Sequence, residues 1–226
     1  MTSQYPPPQG PPPSGPPPGQ GVSLNKLTLT KSAPSVSLSK HGAVGGQMRV
    51  NLNWNARPAG GGGFFKRLTG GGGAIDLDLG CLYELTDGRK GVVQALGNAF
   101  GALDRPPYIQ LDADDRSGAS TGGENLFINL DHAREIRRVL VFAFIYEGVP
   151  AWDQADGVVT LFPAQGQPIE VRLDESAAGA RSCAIAHIDN SQGQFEIRRE
   201  VQYITGAQDA LDRAYGWGMN WQAGRK

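Results

Sequence analysis

The chain has 226 residues, a formal net charge of −1 and 19% charged residues. That length allows one sizeable domain or two small ones, and the near-zero charge offers no general attraction to nucleic acid or to an anionic membrane surface. No stretch approaches the ~20 apolar residues of a membrane-spanning helix.

The first segment, MTSQYPPPQG, lacks the charged and apolar regions of a secretory signal, which points to a cytoplasmic protein. Residues 1–20 alternate proline triplets with Gly, Gln and Ser. Such a segment cannot bury a core and samples polyproline II. It reads as a solubilising or spacing tail, with docking into a partner's aromatic-lined groove as the functional alternative.

From Gly21 the pattern changes to period two. Val22, Leu24, Leu27 and Leu29 alternate with polar residues, with a slip at Asn25–Lys26; SVSLSK and QMRVNLNW repeat the alternation. Residues 57–73 then interrupt it with two four-glycine runs around Phe64, Phe65, Lys66, Arg67 and Leu68. Glycine this dense behaves as a hinge, and without a GxxxxGK[ST] pattern it is a weak phosphate cradle. Alternation resumes in AIDLDLGCLYEL and GVVTLF. RRVLVFAFIYEG is instead continuously apolar over Val139–Tyr146 and predicts a central strand buried on both faces. Further strands are predicted at 168–173, 183–188 and 194–201, with short helical stretches near Trp152–Ala155 and Gln208–Ala214. About ten short strands make residues 21–226 one all-β domain, a two-sheet sandwich or a barrel.

The most informative chemistry lies in LDADDRSGASTGGENLFINL, where Asp112, Asp114 and Asp115 precede a glycine-rich turn and then Glu124 and Asn125. Carboxylates this close repel one another unless a cation joins them. Calcium, with six to eight oxygen ligands in flexible geometry, suits such a loop, while a solvated hairpin turn explains the same composition. Upstream, Asp76 and Asp78 share one face of a predicted strand at ~7 Å spacing, opposite Ile75, Leu77 and Leu79. The loop is no EF-hand, because Ser117 falls where that loop needs Gly and Gly123 where it needs a bidentate Glu.

GVSLNKLTLTK, AIDLDLGCLYEL, DDRSG followed by GGEN, VLVFAFIYEG and the terminal AYGWGMNW together resemble the TerD family of tellurium-resistance and general stress proteins, in particular the actinobacterial-type branch with a double poly-Gly insertion. The resemblance covers Gly21 to the C-terminus. It implies a β-sandwich, calcium (Ca2+) at the acidic loops, cytoplasmic residence and membership of a multi-protein tellurium-resistance and stress system, without enzymatic activity. Carried over residue by residue, it assigns metal ligation to Asp76 and Asp78 on the strand, Asp114, Asp115 and Gly118 in the turn, and Glu124 and Asn125 after it, with Asp112 turned inward to assist. The family's last cluster holds several consecutive acids, whereas Gly123 and Asn125 flank a single one here, so one ion is expected more firmly than two.

His41, His132 and His187 are scattered and read as surface or capping residues. Asp131, Arg134, Glu135, Arg137 and Arg138 read as a solvated turn with gatekeeping charges, or else as a docking surface. Trp217, Met219 and Trp221 read as core or sheet-edge cover. Cys81 and Cys183 have no paired spacing for zinc or redox chemistry and are expected to be reduced strand residues. The expected function is a calcium-binding scaffold or sensor, with a metal-dependent hydrolase or a tellurite (oxyanion) reductase as the alternative.

Overall fold

Alternation of apolar and polar residues builds both sheets. The computed structural model describes residues 26–41, 45–54, 75–112, 122–148, 152–191 and 194–221. The proline-rich tail, the glycine-rich insertion 57–73 and Asp114, Asp115 and Gly118 lie outside them. Within them are strands β1 (Leu27–Thr28), β2 (Ser35–Ser37), β3 (Gln47–Asn53), β4 (Asp76–Leu85), β5 (Lys90–Val93), β6 (Gly101–Ala102), β7 (Ile109–Leu111), β8 (Glu124–Asn129), β9 (Ile136–Glu147), β10 (Gly157–Phe162), β11 (Ile169–Leu173), β12 (Ser182–Ser191) and β13 (Gln194–Ile204). Helix α1 spans Trp152–Ala155 and α2 spans Gln208–Tyr215.

A seven-stranded sheet runs β1-β11-β10-β3-β8-β7-β6 and a six-stranded sheet β2-β13-β12-β9-β4-β5. Pairing is antiparallel except between β1 and β11. In β3 the buried Met48, Val50 and Leu52 alternate with Arg49 and Asn51, so one face enters the core and the other meets solvent. The two inner faces close on one apolar cluster, the expected two-sheet sandwich. The expected ten strands become thirteen because β5, β6 and β7 are short and carry little alternation of their own.

β9 explains its own continuous apolar run. Val139, Val141, Ala143 and Ile145 enter the inter-sheet core, while Leu140 and Phe142 face outward into a second cluster with Leu82, Ala184, Leu211 and Trp217. The outward face is dry because α2 and the residues after it lie across the six-stranded sheet. Gly216 ends α2 in a left-handed conformation (φ 61°), which glycine adopts without a Cβ penalty. Asp212, buried, then accepts from the Gly218 and Met219 amides at 2.7 and 2.9 Å and from the Trp221 indole at 2.9 Å. The AYGWGMNW motif is therefore sheet cover, pinned by one carboxylate.

The charged segment before β9 divides in two. Residues Leu130–Glu135 form a 3-10 turn, as a solvated turn should. Arg137 and Arg138 instead each reach a buried carboxylate, Glu84, at 2.7 Å, and Lys90 stands 3.8 Å from it. His187 also departs from expectation: it is buried on β12. No helix among the described residues is long and apolar enough to cross a membrane.

Candidate metal centre at the acidic hairpin

β7 and β8 form the stem of a hairpin whose register runs Ile109↔Ile128, Gln110↔Phe127 and Leu111↔Leu126. Asp112 and Asn125 continue the pairing: the Asp112 amide donates to the Asn125 carbonyl at 3.0 Å, and the Asn125 side-chain amide donates to Asp112 Oδ2 at 3.0 Å. Asp112 and Asn125 thus close the stem. Asn125 points to the outer face of the seven-stranded sheet, where its Oδ1 accepts from Asn51 at 2.9 Å and from Arg49 at 3.1 Å. Asn51 also donates to the Gly122 carbonyl at 2.5 Å, bracing the far end of the loop. An open groove of about 480 Å³ borders this network, lined by Asn51, Asn53, Trp54, Asp156, Val158 and Thr160.

Glu124 points the other way. Strand periodicity turns it toward the interior, where it is 1% exposed. Its Oε2 accepts from the backbone amide of Leu79 at 2.6 Å. β5 pairs only with Cys81–Glu84, so Leu79 lies beyond its end and Glu124 supplies the acceptor that a neighbouring strand would have supplied. The contact joins the two sheets at the amide directly following Asp78. On β4 the burial pattern confirms the alternation read from sequence: Asp76 and Asp78 are half-buried on one face, Leu77 and Leu79 fully buried on the other.

The structure therefore brings Glu124 to the β4 backbone at Leu79 from the inner side, leaves Asp76 and Asp78 on the opposite face of that strand, and sets Asp112 and Asn125 on the hairpin stem. Among the described residues no three His, Cys, Asp or Glu side chains stand close enough to share a metal ion. The donors that Asp76, Asp78 and Glu124 offer are all oxygen, the set that hard cations such as calcium select.

Gly123 owes its identity to the backbone. Its φ is +64°, and a Cβ there would lie 2.1 Å from the Leu52 carbonyl oxygen. An acid at this position would clash with β3 whatever its charge offered a metal, a constraint visible only once β3 and β8 are paired.

The cysteines are both reduced and buried in the inter-sheet core. Burial pushes both thiols well above their ordinary range; a hydrogen bond from the Val93 backbone at Cys81, and the Arg199 charge at Cys183, oppose this only weakly. Neither is placed to act as an exposed thiolate.

No family model matches the chain. By sequence it is 50% identical over 205 residues to the tellurium resistance protein TerA of an Alcaligenes species, an alignment covering 91% of this chain and 60% of that protein. The chain thus spans less than two thirds of that relative's length. The crystal structure of a homologue of the telluride resistance protein TerD from Streptomyces coelicolor aligns with a TM-score of 0.53 at 20% identity, covering 78% of this chain and 99% of that one. A crystal structure of a protein of unknown function aligns at 0.56 with 16% identity, covering 81% and 99%. Both structural likenesses speak to the fold, and the sequence match carries the kinship. The chain is tellurium-resistance-protein-like in sequence and shares the fold of a TerD homologue.

Proposed function

We propose that this chain is a non-enzymatic, calcium-binding stress-response protein that acts in the cytoplasm as a scaffold or sensor among other tellurium-resistance proteins. The observation that supports it best is Glu124: a buried carboxylate at the base of an Asp-rich hairpin, bound to the amide that follows Asp78. Asp76, Asp78 and Glu124 would hold the ion together with Asp114, Asp115 and the backbone of Gly118. Asp112 and Asn125 would contribute chiefly by fixing the stem. A bound calcium supplies positive charge among acids of one sign, and so ties the hairpin to the edge of β4 and shapes the adjoining groove for a partner. The relative's printed name, a tellurium resistance protein, is what extends the reading to a resistance system. Residues 1–20 are read as a tail on a domain spanning 21–226, with a groove-type partner for its proline triplets.

The test is thermal melting of chelator-treated protein during calcium titration. At a hundredfold excess over the dissociation constant the expected stabilisation is about 2.7 kcal/mol, or roughly 5–10 °C for a domain of this size. Asp114→Ala and Glu124→Gln should each abolish most of that gain. A native protein whose melting ignores calcium would overturn the reading.

A further inference from the structure

The outer face of the six-stranded sheet carries a row of charges straight across its strands. Register sets Lys90 opposite Glu84, Glu84 opposite Arg138, Arg138 opposite Asp189, and Asp189 opposite Glu196. The first three alternate in sign and close on one another around Glu84. At the last step the alternation fails. Asp189 and Glu196 are like charges directly opposite in an antiparallel pair, which is destabilising. Among the described residues no lysine or arginine forms an ion pair with either: Arg138 is taken by Glu84, and Arg198 by Glu200 at 2.7 Å.

One row along, His187 faces Arg198 across the same two strands. Period two puts all four side chains on one face, and these four line a cavity of about 230 Å³. Glu196 and Arg198 are exposed at its rim and Asp189 is half-buried. His187 lies deepest, 9% exposed, its ring edge-on to Trp217 with centroids 6.2 Å apart. No hydrogen bond from the described residues reaches its imidazole, so a buried polar ring opens onto the cavity without a partner. Burial, then the Arg198 charge, hold its pKa below the ordinary value; Arg138 acts in the same direction, and Glu200 and Asp189 oppose it. This favours the neutral ring, which keeps one nitrogen as an acceptor.

Two carboxylates and a neutral ring nitrogen thus offer three acceptors around one cavity, the complement of the three N–H donors of a primary ammonium. A bare metal ion fits less well, since these side chains do not converge closely enough to share one. We propose that this cavity binds a primary alkylammonium group, with Asp189 and Glu196 meeting its charge and His187 accepting a hydrogen bond. None of His187, Asp189, Glu196 and Arg198 is among the residues assigned to calcium, so binding here does not require it.

The test is a titration at pH 7.5, in chelator, with n-butylamine and separately with Nα-acetyl-lysine amide. The His187 ring nitrogens and the Trp217 indole are followed by NMR. A saturable shift of the His187 resonances is expected. Response to butylamine alone supports a free amine as ligand, and response to the lysine amide supports a partner's lysine side chain. Tetramethylammonium, which carries the charge without N–H donors, should give no saturable shift. Glu196→Gln, at the exposed rim, should weaken binding at least fivefold, and Asp189→Asn should abolish it with the Trp217 resonance in place. Absence of any saturable shift, an equal response to tetramethylammonium, or undiminished binding in Glu196→Gln would overturn the proposal.

Discussion

Glu84 and Glu124 are both strand carboxylates with almost no exposure, 3% and 1%, and the fold buries them in opposite ways. Glu84 sits on the outer face of the six-stranded sheet under the C-terminal cover, where Arg138, Arg137 and Lys90 surround it. Burial by itself would raise its pKa. The Arg138 hydrogen bond and the charges of Arg138, Arg137 and Lys90 outweigh that, and the net position lies below the ordinary carboxylate value. Glu124 faces the sandwich interior at the base of an acid-rich loop and binds a backbone amide. The difference separates an acid held by cations from one held by a backbone amide. Cations from its own chain make Glu84 an architectural hub; Glu124 is the acid on which the proposed cation site rests.

The comparison is broken most severely at Trp217. Its ring is fully buried, its indole donates to the Tyr83 carbonyl at 3.0 Å, and Arg138 stacks 3.8 Å from the ring centroid. Trp217→Ala should cost about 4 kcal/mol, a fall of roughly 8–16 °C in melting temperature, and should leave the response to calcium intact. Removing Glu84 comes next. Glu84→Ala strands Arg138 under the C-terminal cover and should cost about 3 kcal/mol, again without changing calcium binding. Loss of the calcium response in either variant would mean that the two acids are not separable.

The Glu84 penalty should also depend on pH. Because the folded pKa lies below the ordinary carboxylate value of 4.5, the ionised form stabilises the fold above about that pH. That contribution is lost as pH falls through the folded value. Chemical denaturation of parent and Glu84→Ala should therefore converge in strong acid.

A smaller effect sharpens the other side. Gly123→Asp would restore an acid beside Glu124, but at φ +64° and against the Leu52 carbonyl oxygen. It should destabilise by about 2 kcal/mol and bind calcium no more tightly, as melting with and without calcium would report. The smallest expected effect belongs to His187. Its folded pKa lies below 6.5, so the unfolded chain takes up the proton first. The contribution is present above pH 6.5 and is lost as pH falls toward the folded value. Melting temperature should decline across that window in the parent and less so in His187→Gln.

Much of this was legible in the residues. The alternation Asp76-Leu77-Asp78-Leu79 fixes which side chains share a face, and the structure keeps it. The run Val139–Tyr146 requires cover on both sides, which the core and α2 provide. Glu84 was not legible. In sequence it is one more polar residue in a strand, and its partners Arg137 and Arg138, more than fifty positions away, look like solvated charges guarding an apolar run. Gly123 read as a missing acid, because a close approach of β3 has no trace in local sequence. Glu124 was readable as a carboxylate beside a loop, but its inward direction and its hold on Leu79 depend on where β5 stops.

The sequence by itself determined the all-β class, the alternation within each strand and the grouping of oxygen donors in two segments. These follow from local periodicity and composition, which neighbouring residues express directly. Only the tertiary structure decided that Asn125 and Glu124 part to opposite faces, that Arg138 and Trp217 seal Glu84 beneath the C-terminal motif, and that Asp189, Glu196 and His187 share a cavity. Each depends on cross-strand register and on which sheet face receives a cover. Those are set by packing between residues far apart in the chain, where burial and charge pairing are settled together.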